Sequence, residues 1–345
     1  MPHTILVPDQ TRARLAGYME SLQTGVAQPG RRLASEMRKI DPTRSGVEPF
    51  LDALLNTKLP QIFAESAVAG DGSDWTLAEL RLLGDISITM PVTVYDDGRH
   101  VSPRVHEPPF PATLVFTPGA LLCNGRGCSP ADLAEVTDGE GMLCAEGYYR
   151  LYERRLLPVF GHVQATAASH GRPALLTIPG LGCGQFAGPF QGQLGAALQT
   201  VLERFLQTHG ASFNRIRAVY YDPYAECENS RRIIHHISFM VRPLRHGNES
   251  KPQLCQPTAY AEDDGDEFSD CMLASMVAWD HVSWPGNDFF AGSRCTDDGV
   301  KAAATDSMAV LTGTEGRYDA SRTSYLPPPP YRTWGEVVTE KGLRL

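Results

Sequence analysis

The sequence has no C-x-x-C pair, no cysteine–histidine spacing of the zinc-finger kind, and no apolar run long enough to span a bilayer. Its eight cysteines, at 123, 128, 144, 183, 227, 255, 271 and 295, are scattered. That scatter argues against a zinc module or a disulfide framework and for reduced, mostly buried thiols. Residues Met1 to Asp9 lack the basic stretch and long apolar segment of a secretory signal, which makes a cytoplasmic location the expectation. Basic charge is also scarce. With 31 Lys and Arg against 40 Asp and Glu, the formal net charge is −9, which excludes a general nucleic-acid coat. It does not exclude one anionic ligand held by main-chain N–H groups. No internal repeat, no Walker-type lysine after a glycine loop and no dinucleotide G-x-G-x-x-G fingerprint is present.

What remains is the balance of an ordinary globular chain, 42% hydrophobic and 21% charged over 345 residues. Residues 1–72 read as a helical N-terminal extension. Asp9 caps a segment with Leu15, Tyr18, Met19 and Leu22 on one face, and a second helical stretch from Val47 to Ala67 is interrupted by Pro60. A core at 73–320 follows. Ile86 to Met90 and Val92 to Val94 alternate as strands do. Short apolar runs then recur at Thr113–Phe116, Ala174–Ile178, Ile216–Tyr221, Ser275–Trp279 and Met308–Leu311, each expected to be a strand closed by a Gly- or Asp-rich loop. Phe190, Leu194, Ala197, Leu198, Val201, Leu202 and Phe205 mark an amphipathic helix between the second and third. Strand, helix, strand with nearly all-apolar strands predicts an α/β fold with a covered sheet. The stretch 246–270 reads as a solvated acidic loop, and 321–345 as a Pro-rich tail that is either a docking peptide or an arm lying on its own domain.

Ligands of open α/β sheets sit outside the carboxyl ends of the strands, which directs attention to three loops. The first, Pro179 to Gly188, carries four glycines within nine residues and precedes the amphipathic helix. Gly180, Gly182, Cys183, Gly184, Gln185 and Phe186 become candidates for gripping a diphosphate through the main chain, with the helix N-terminus adding positive potential. A turn needed only for tight packing is the plain alternative. The second loop, Thr117 to Gly127, offers Thr117, Asn124 and Gly125. The third runs from Trp279 to Asp306. There Asp280 directly follows a strand, Asn287 and Asp288 come in an aromatic, Gly-rich loop, and Asp298 opens a helix near Val300. Carboxylates converging at one strand end repel each other unless a metal, ribose hydroxyls or a guanidinium resolves the repulsion. Helix capping would explain Asp297 or Asp298 alone.

Those residues carry a resemblance. The loop 179–188 before its helix resembles the diphosphate-binding loop of macrodomains, and 117–127 looks like a variant of their other ligand loop. The segment 279–306, with Asp280, Asp288 and Asp298 at those spacings, is similar to the divergent MavL-type macrodomain ADP-ribosyl hydrolases. The resemblance covers about residues 110–315. It implies a macrodomain-like mixed sheet and ADP-ribose as the ligand, with no cofactor and no metal. It also implies removal of ADP-ribose from an arginine side chain, with ubiquitin as a candidate carrier. Asp288 and Asp298 would stand nearest the scissile bond and Asp280 would orient ribose or guanidinium. Gly84-Asp85-Ile86 echoes the adenine-reading aspartate of the wider family. The Asn-Ala-Ala-Asn run of ordinary macrodomains is missing, as is the Gly-Gly-Gly…Gln-Glu-Glu signature of poly(ADP-ribose) glycohydrolases, which argues against poly(ADP-ribose) as substrate. Two alternatives accompany this reading: a non-catalytic ADP-ribose reader, and a Mg²⁺-dependent hydrolase using Asp306 as well.

Overall fold

The computed structural model describes residues 3–39, 46–62, 73–124 and 129–345. Eight strands form one sheet in the order β1-β2-β3-β8-β4-β5-β7-β6, with β1 Thr4–Leu6, β2 Ser87–Asp96, β3 Val105–Pro118, β4 Ala174–Pro179, β5 Ile216–Asp222, β6 Ser230–Ile234, β7 Ile237–Val241 and β8 Met272–Trp279. The five central strands β3, β8, β4, β5 and β7 run parallel, while β1, β2 and β6 pair antiparallel at the two edges. The α/β class inferred from the apolar runs is thus borne out, and the sheet is mixed, as the resemblance implies.

Alternation decides which side chain goes to which face. Leu176, Ile178, Val219, Tyr221 and Met276 pack under α6 (Ala145–Ser169) and α7 (Leu194–His209), whereas Leu175, Tyr220, Leu273, Val277 and Trp279 pack on the other face. The second face is covered by Leu254, Tyr260 and Phe268 and by Ala304 of α8 (Asp297–Ala304). The long α6 has no counterpart in the sequence reading. The stretch 246–270 is less solvated than its composition suggests, because its apolar residues are buried and Arg242 and Arg231 pair with Glu262 and Asp266.

Three boundaries differ from expectation. The described N-terminal residues are not all helical. After α1 (Asp9–Gln23), α2 (Arg31–Met37) and α3 (Val47–Leu55), the chain returns to the core, and β1 itself is a strand of the central sheet. The helix beginning at Val47 ends at Leu55 rather than reaching Pro60, and Ala67 lies outside the described residues. Met308–Leu311 is part of helix α9 (Ser307–Thr312), not a strand. A four-residue apolar run has no period of its own, and Gly313 in the left-handed region closes the helix. Of the two readings of 321–345, the arm lying on its own domain is the one seen: β10 (Ser324–Leu326) pairs with β9 (Arg317–Asp319), and α10 (Trp334–Lys341) buries Trp334 against Phe290 and Tyr325. The remaining helices are α4 (Leu77–Gly84), closed at its N-terminus by a Thr76–Glu79 capping box, and α5 (Leu133–Val136). No helix among the described residues is long and apolar enough to cross a membrane.

Candidate functional site

Strand β8 lies between β3 and β4, so the loops that follow these three strands leave the sheet side by side at its carboxyl end. The helices after β3 and β4 pack on one face and the helix after β8 on the other, the arrangement in which open α/β sheets form a ligand crevice between such loops. Main chain knits the loops together. Gly119 N–H donates to Trp279 O (3.2 Å) and Leu122 N–H to Phe186 O (2.9 Å). The Tyr152 hydroxyl accepts from Ala120 N–H and donates to Leu181 O. A Cβ at Gly119 would stand 2.6 Å from Gly182 Cα, and Gly182 itself has φ +72°, so two glycines permit one backbone crossing. Leu121, Phe186 and Val282, one from each loop, share a cluster with Leu54, Leu80 and Leu83 of the N-terminal helices.

Within the glycine loop, part of the plain packing alternative holds: Gly182 serves the crossing, and Cys183 turns inward, its thiol pushed far up by burial. Gly184 and Gln185 are exposed, and Gly184 N–H meets no acceptor among the described residues. The expected helix N-terminus does not point freely at this loop. A 3-10 turn, Gln185–Phe190, intervenes, and Glu226 already accepts the Gly195 N–H at 2.7 Å. Any anion here is therefore held by loop N–H groups rather than by α7. Thr117 is fully buried with its hydroxyl against Ser87 at 3.1 Å, so it faces β2 and not the crevice. Asn124 sits half-buried at the loop's described end, and Gly125 lies outside the described residues.

The three aspartates all leave the β8–α8 connection, and all are nearly buried. Asp280 accepts the N–H groups of Val282 and Ser283 on Oδ1, both at 2.7 Å, and the Ser283 hydroxyl and Asn287 amide on Oδ2. Asp288 accepts Cys295 N–H at 2.7 Å and the Thr296 hydroxyl at 2.5 Å. Asp298 takes Gly286 N–H (2.6 Å) and Asn287 N–H (3.0 Å), so this carboxylate clamps the turn that presents Asp288. Main-chain N–H groups and the Ser283 and Thr296 hydroxyls offset part of the mutual repulsion. Burial still pushes the Asp298 carboxyl well above its ordinary value, with Asp280 and Asp288 adding like charge against the pull of the Gly286 and Asn287 N–H groups. The helix is capped not by an aspartate but by Thr296, whose hydroxyl accepts Gly299 N–H. Asn287 is a brace: its amide exchanges two hydrogen bonds with the Ile62 backbone, both at 2.8 Å.

Two lysines complete the cluster, and sequence reasoning missed both. Lys58 reaches in from the N-terminal segment, where Leu59 pairs with the Asp280 loop through Val282 O and Trp284 N–H. It donates to His281 O at 2.7 Å, and its ammonium lies 3.9 Å over the Trp279 ring. Burial lowers it to about 7, while Asp280 and Asp298 pull it back up. Lys301 is equally buried and bonds Asp297, Gln253 and Met276 O. Nothing in the local run Asn56-Thr57-Lys58 marked the lysine as buried.

Asp85 does not present a free carboxylate. It is fully buried and accepts from Thr11, Arg154 and Arg155, the last of which also bonds Asp132 and the carbonyls of Pro118 and Gly119. Its visible role is to anchor the start of the β3 loop. A cleft of about 450 Å³ is lined by Arg14, Tyr18, Arg81 and Glu135 of the neighbouring helices and by none of the loop candidates. Among the described residues no group of His, Cys, Asp or Glu is placed to hold a metal ion, and Asp306 instead accepts Thr93 N–H on β2.

Comparison with known proteins gives one family: the model described as "Macrodomain effector MavL" matches residues 3–331, nearly the whole chain. No curated protein matches the sequence.

Proposed function

The chain belongs to the Macrodomain effector MavL family, which implies ADP-ribose binding, and from that premise we propose that it is a hydrolase releasing ADP-ribose from an arginine side chain of a modified protein. The observation that supports this reading best is the convergence of Asp280, Asp288 and Asp298, three nearly buried carboxylates, beside loops joined main chain to main chain at the ends of β3, β8 and β4. Loop N–H groups around Gly184 hold the diphosphate, and the distal ribose turns toward the aspartates. The C1–N bond to the guanidinium lengthens as positive charge grows on the ribose, where a fixed carboxylate stabilises it. Water adds to C1 and loses a proton to a carboxylate, and the guanidine nitrogen takes up a proton as it leaves. Asp288 and Asp298 are assigned nearest the bond. Asp280, the most exposed of the three at 9%, is assigned to orient ribose or guanidinium. Lys58 supplies the cation that lets the three remain together. Ubiquitin is the first carrier to test.

One observation favours a second reading. Every oxygen of the three carboxylates already accepts a hydrogen bond from its own loop, as in a purely structural turn, and a reader that binds ADP-ribose without cleaving it needs no more. Calorimetry with ADP-ribose, paired with release assays on arginine-, serine- and glutamate-modified proteins including ubiquitin, decides between them. Hydrolysis confined to arginine conjugates and lost in Asp288→Asn supports the hydrolase. Binding with no release from any conjugate establishes the reader.

A further inference from the structure

The C-terminal segment builds a cavity against the turn that carries Asp288. About 290 Å³ in volume, it takes Phe289 and Gly292 from that turn and Tyr325, Trp334, Arg322 and Arg332 from the segment after β9. Its floor is aromatic and buried: Phe289 is 3% exposed, and Tyr325 and Trp334 are each 1% exposed, their rings stacked at 5.8 Å. Its two cations are exposed and nearly free. Arg322 meets only Asp319, at 3.8 Å, and the Arg332 guanidinium takes no acceptor among the described residues. The walls are fixed in place. Arg294 donates to Asp96 from both terminal nitrogens, and from the same nitrogens to the carbonyls of Thr323 and Arg99, which ties the hairpin to both β2 and the aspartate loop. Gly335 is held to the main chain of Phe290, where a Cβ would come within 2.9 Å of the carbonyl.

One guanidinium without an acceptor, Arg332, and one loosely paired, Arg322, over a rigid aromatic floor favour carboxylates carried on a partly apolar segment. On a chain of net charge −9 such a spot is a local exception that general electrostatics does not explain. Its position, one residue from Asp288 through Phe289, puts it beside the turn that a protein bearing the ADP-ribose approaches if the aspartates meet the linkage. We infer that this cavity docks an acidic segment flanking the modified arginine, with Arg322 and Arg332 as the residues that select it. The inference rests on the proposed action on an ADP-ribosylated protein and adds the substrate's flanking chemistry.

The test compares the full chain with Arg322→Glu, Arg332→Glu and the double variant, with thermal melts to show that these exposed changes leave the fold intact. Substrates are ADP-ribosylated peptides with Glu or with Lys around the arginine, and ADP-ribosyl-agmatine, which has no flanks. Expected is about a tenfold preference of the wild type for Glu flanks at subsaturating substrate, erased or reversed in the double variant, with agmatine release unchanged. An equal loss on agmatine would place the two arginines in the nucleotide site and overturn the inference, as would indifference to the flanks. If no conjugate is hydrolysed, the function reading fails but the docking site is still tested. Fluorescence anisotropy of labelled Glu-Glu-Phe-Glu-Glu should then show binding that Arg332→Glu abolishes. Equal binding by the variant, or equally tight binding of a short oligonucleotide, would sink the proposal.

Discussion

Gly299 is held against Asp288 so closely that a Cβ at position 299 would overlap the carboxylate, coming within 2.6 Å of its Oδ2. The first turn of α8 therefore fixes where that carboxylate stands, and Thr296, which caps the same turn, donates its hydroxyl to Asp288 Oδ1. Gly299→Ala forces the carboxylate aside without removing it. Turnover of an ADP-ribosyl-arginine substrate should fall about 100-fold, the scale on which an ångström of misplacement acts, while ADP-ribose affinity stays within a few-fold. Steady-state release assays beside calorimetry check the split. Unchanged turnover would remove Asp288 from the chemistry.

Gly119 and Gly182 offer a test of the other half of the site. A methyl group at either position pushes apart the loops that the reading assigns to the diphosphate. Gly119→Ala should weaken ADP-ribose binding by at least about tenfold and cost on the order of 1–3 kcal/mol of stability from overpacking. Calorimetry and urea denaturation measure the two effects separately. Full affinity in a folded Gly119→Ala protein would show that the loops do not cooperate in binding.

Fold and site were legible in the sequence to different depths, for physical reasons. The parallel strands were readable because both faces are buried, so Ala174–Ile178 and Ser275–Trp279 are apolar but for Thr177 and Ser275, which bond each other. The aspartate segment was readable because carboxylates at strand ends are costly and thus conspicuous. Met308–Leu311 misled because four apolar residues fit helix and strand alike. What local pattern cannot carry is distance: Lys58 and His281 are 223 residues apart in sequence, and Glu226 caps α7 from another loop. Trp334 looked like part of a tail because the hairpin that folds it back depends on contacts made elsewhere.

Asp85, Asp132, Arg154 and Arg155 form a buried ionic hub beneath the β3 loop. Burial alone would raise the Asp132 carboxyl, yet Arg155 beside it, with His281 and the Leu121 N–H, holds it well below the usual carboxylate range. A depressed carboxylate stabilises the fold above its unfolded pKa and loses that contribution as pH falls. Arg155→Met leaves Asp132 buried without its main partner, while Asp85 keeps Arg154, so the expected cost at neutral pH is about 3–5 kcal/mol, shrinking in acid. Urea titrations of both proteins from pH 7 to pH 3 test it. A constant difference across that range would show that lost packing, not charge, accounts for the cost.

Lys58 carries the opposite sign. Burial lowers its folded pKa to about 7 from an ordinary value of 10.5, so between those limits the unfolded chain binds the extra proton. Stability contributed at this position therefore rises with pH across that window, and below about pH 7 the buried charge exerts its full cost. Compared with Lys58→Met, the wild type should gain stability steadily from pH 7 to pH 10, by about 3–4 kcal/mol if the shift is fully expressed. Turnover should respond differently. Removing the cation raises the charge cost of the aspartates beside it, so Lys58→Met should shift the acidic limb of the rate profile upward, whereas Lys58→Arg keeps the charge and moves it less. A variant whose stability difference from wild type is flat between pH 7 and pH 10 would mean that Lys58 stays protonated throughout. The ammonium over Trp279 would then be a fixed counter-charge to the aspartates rather than a titrating one.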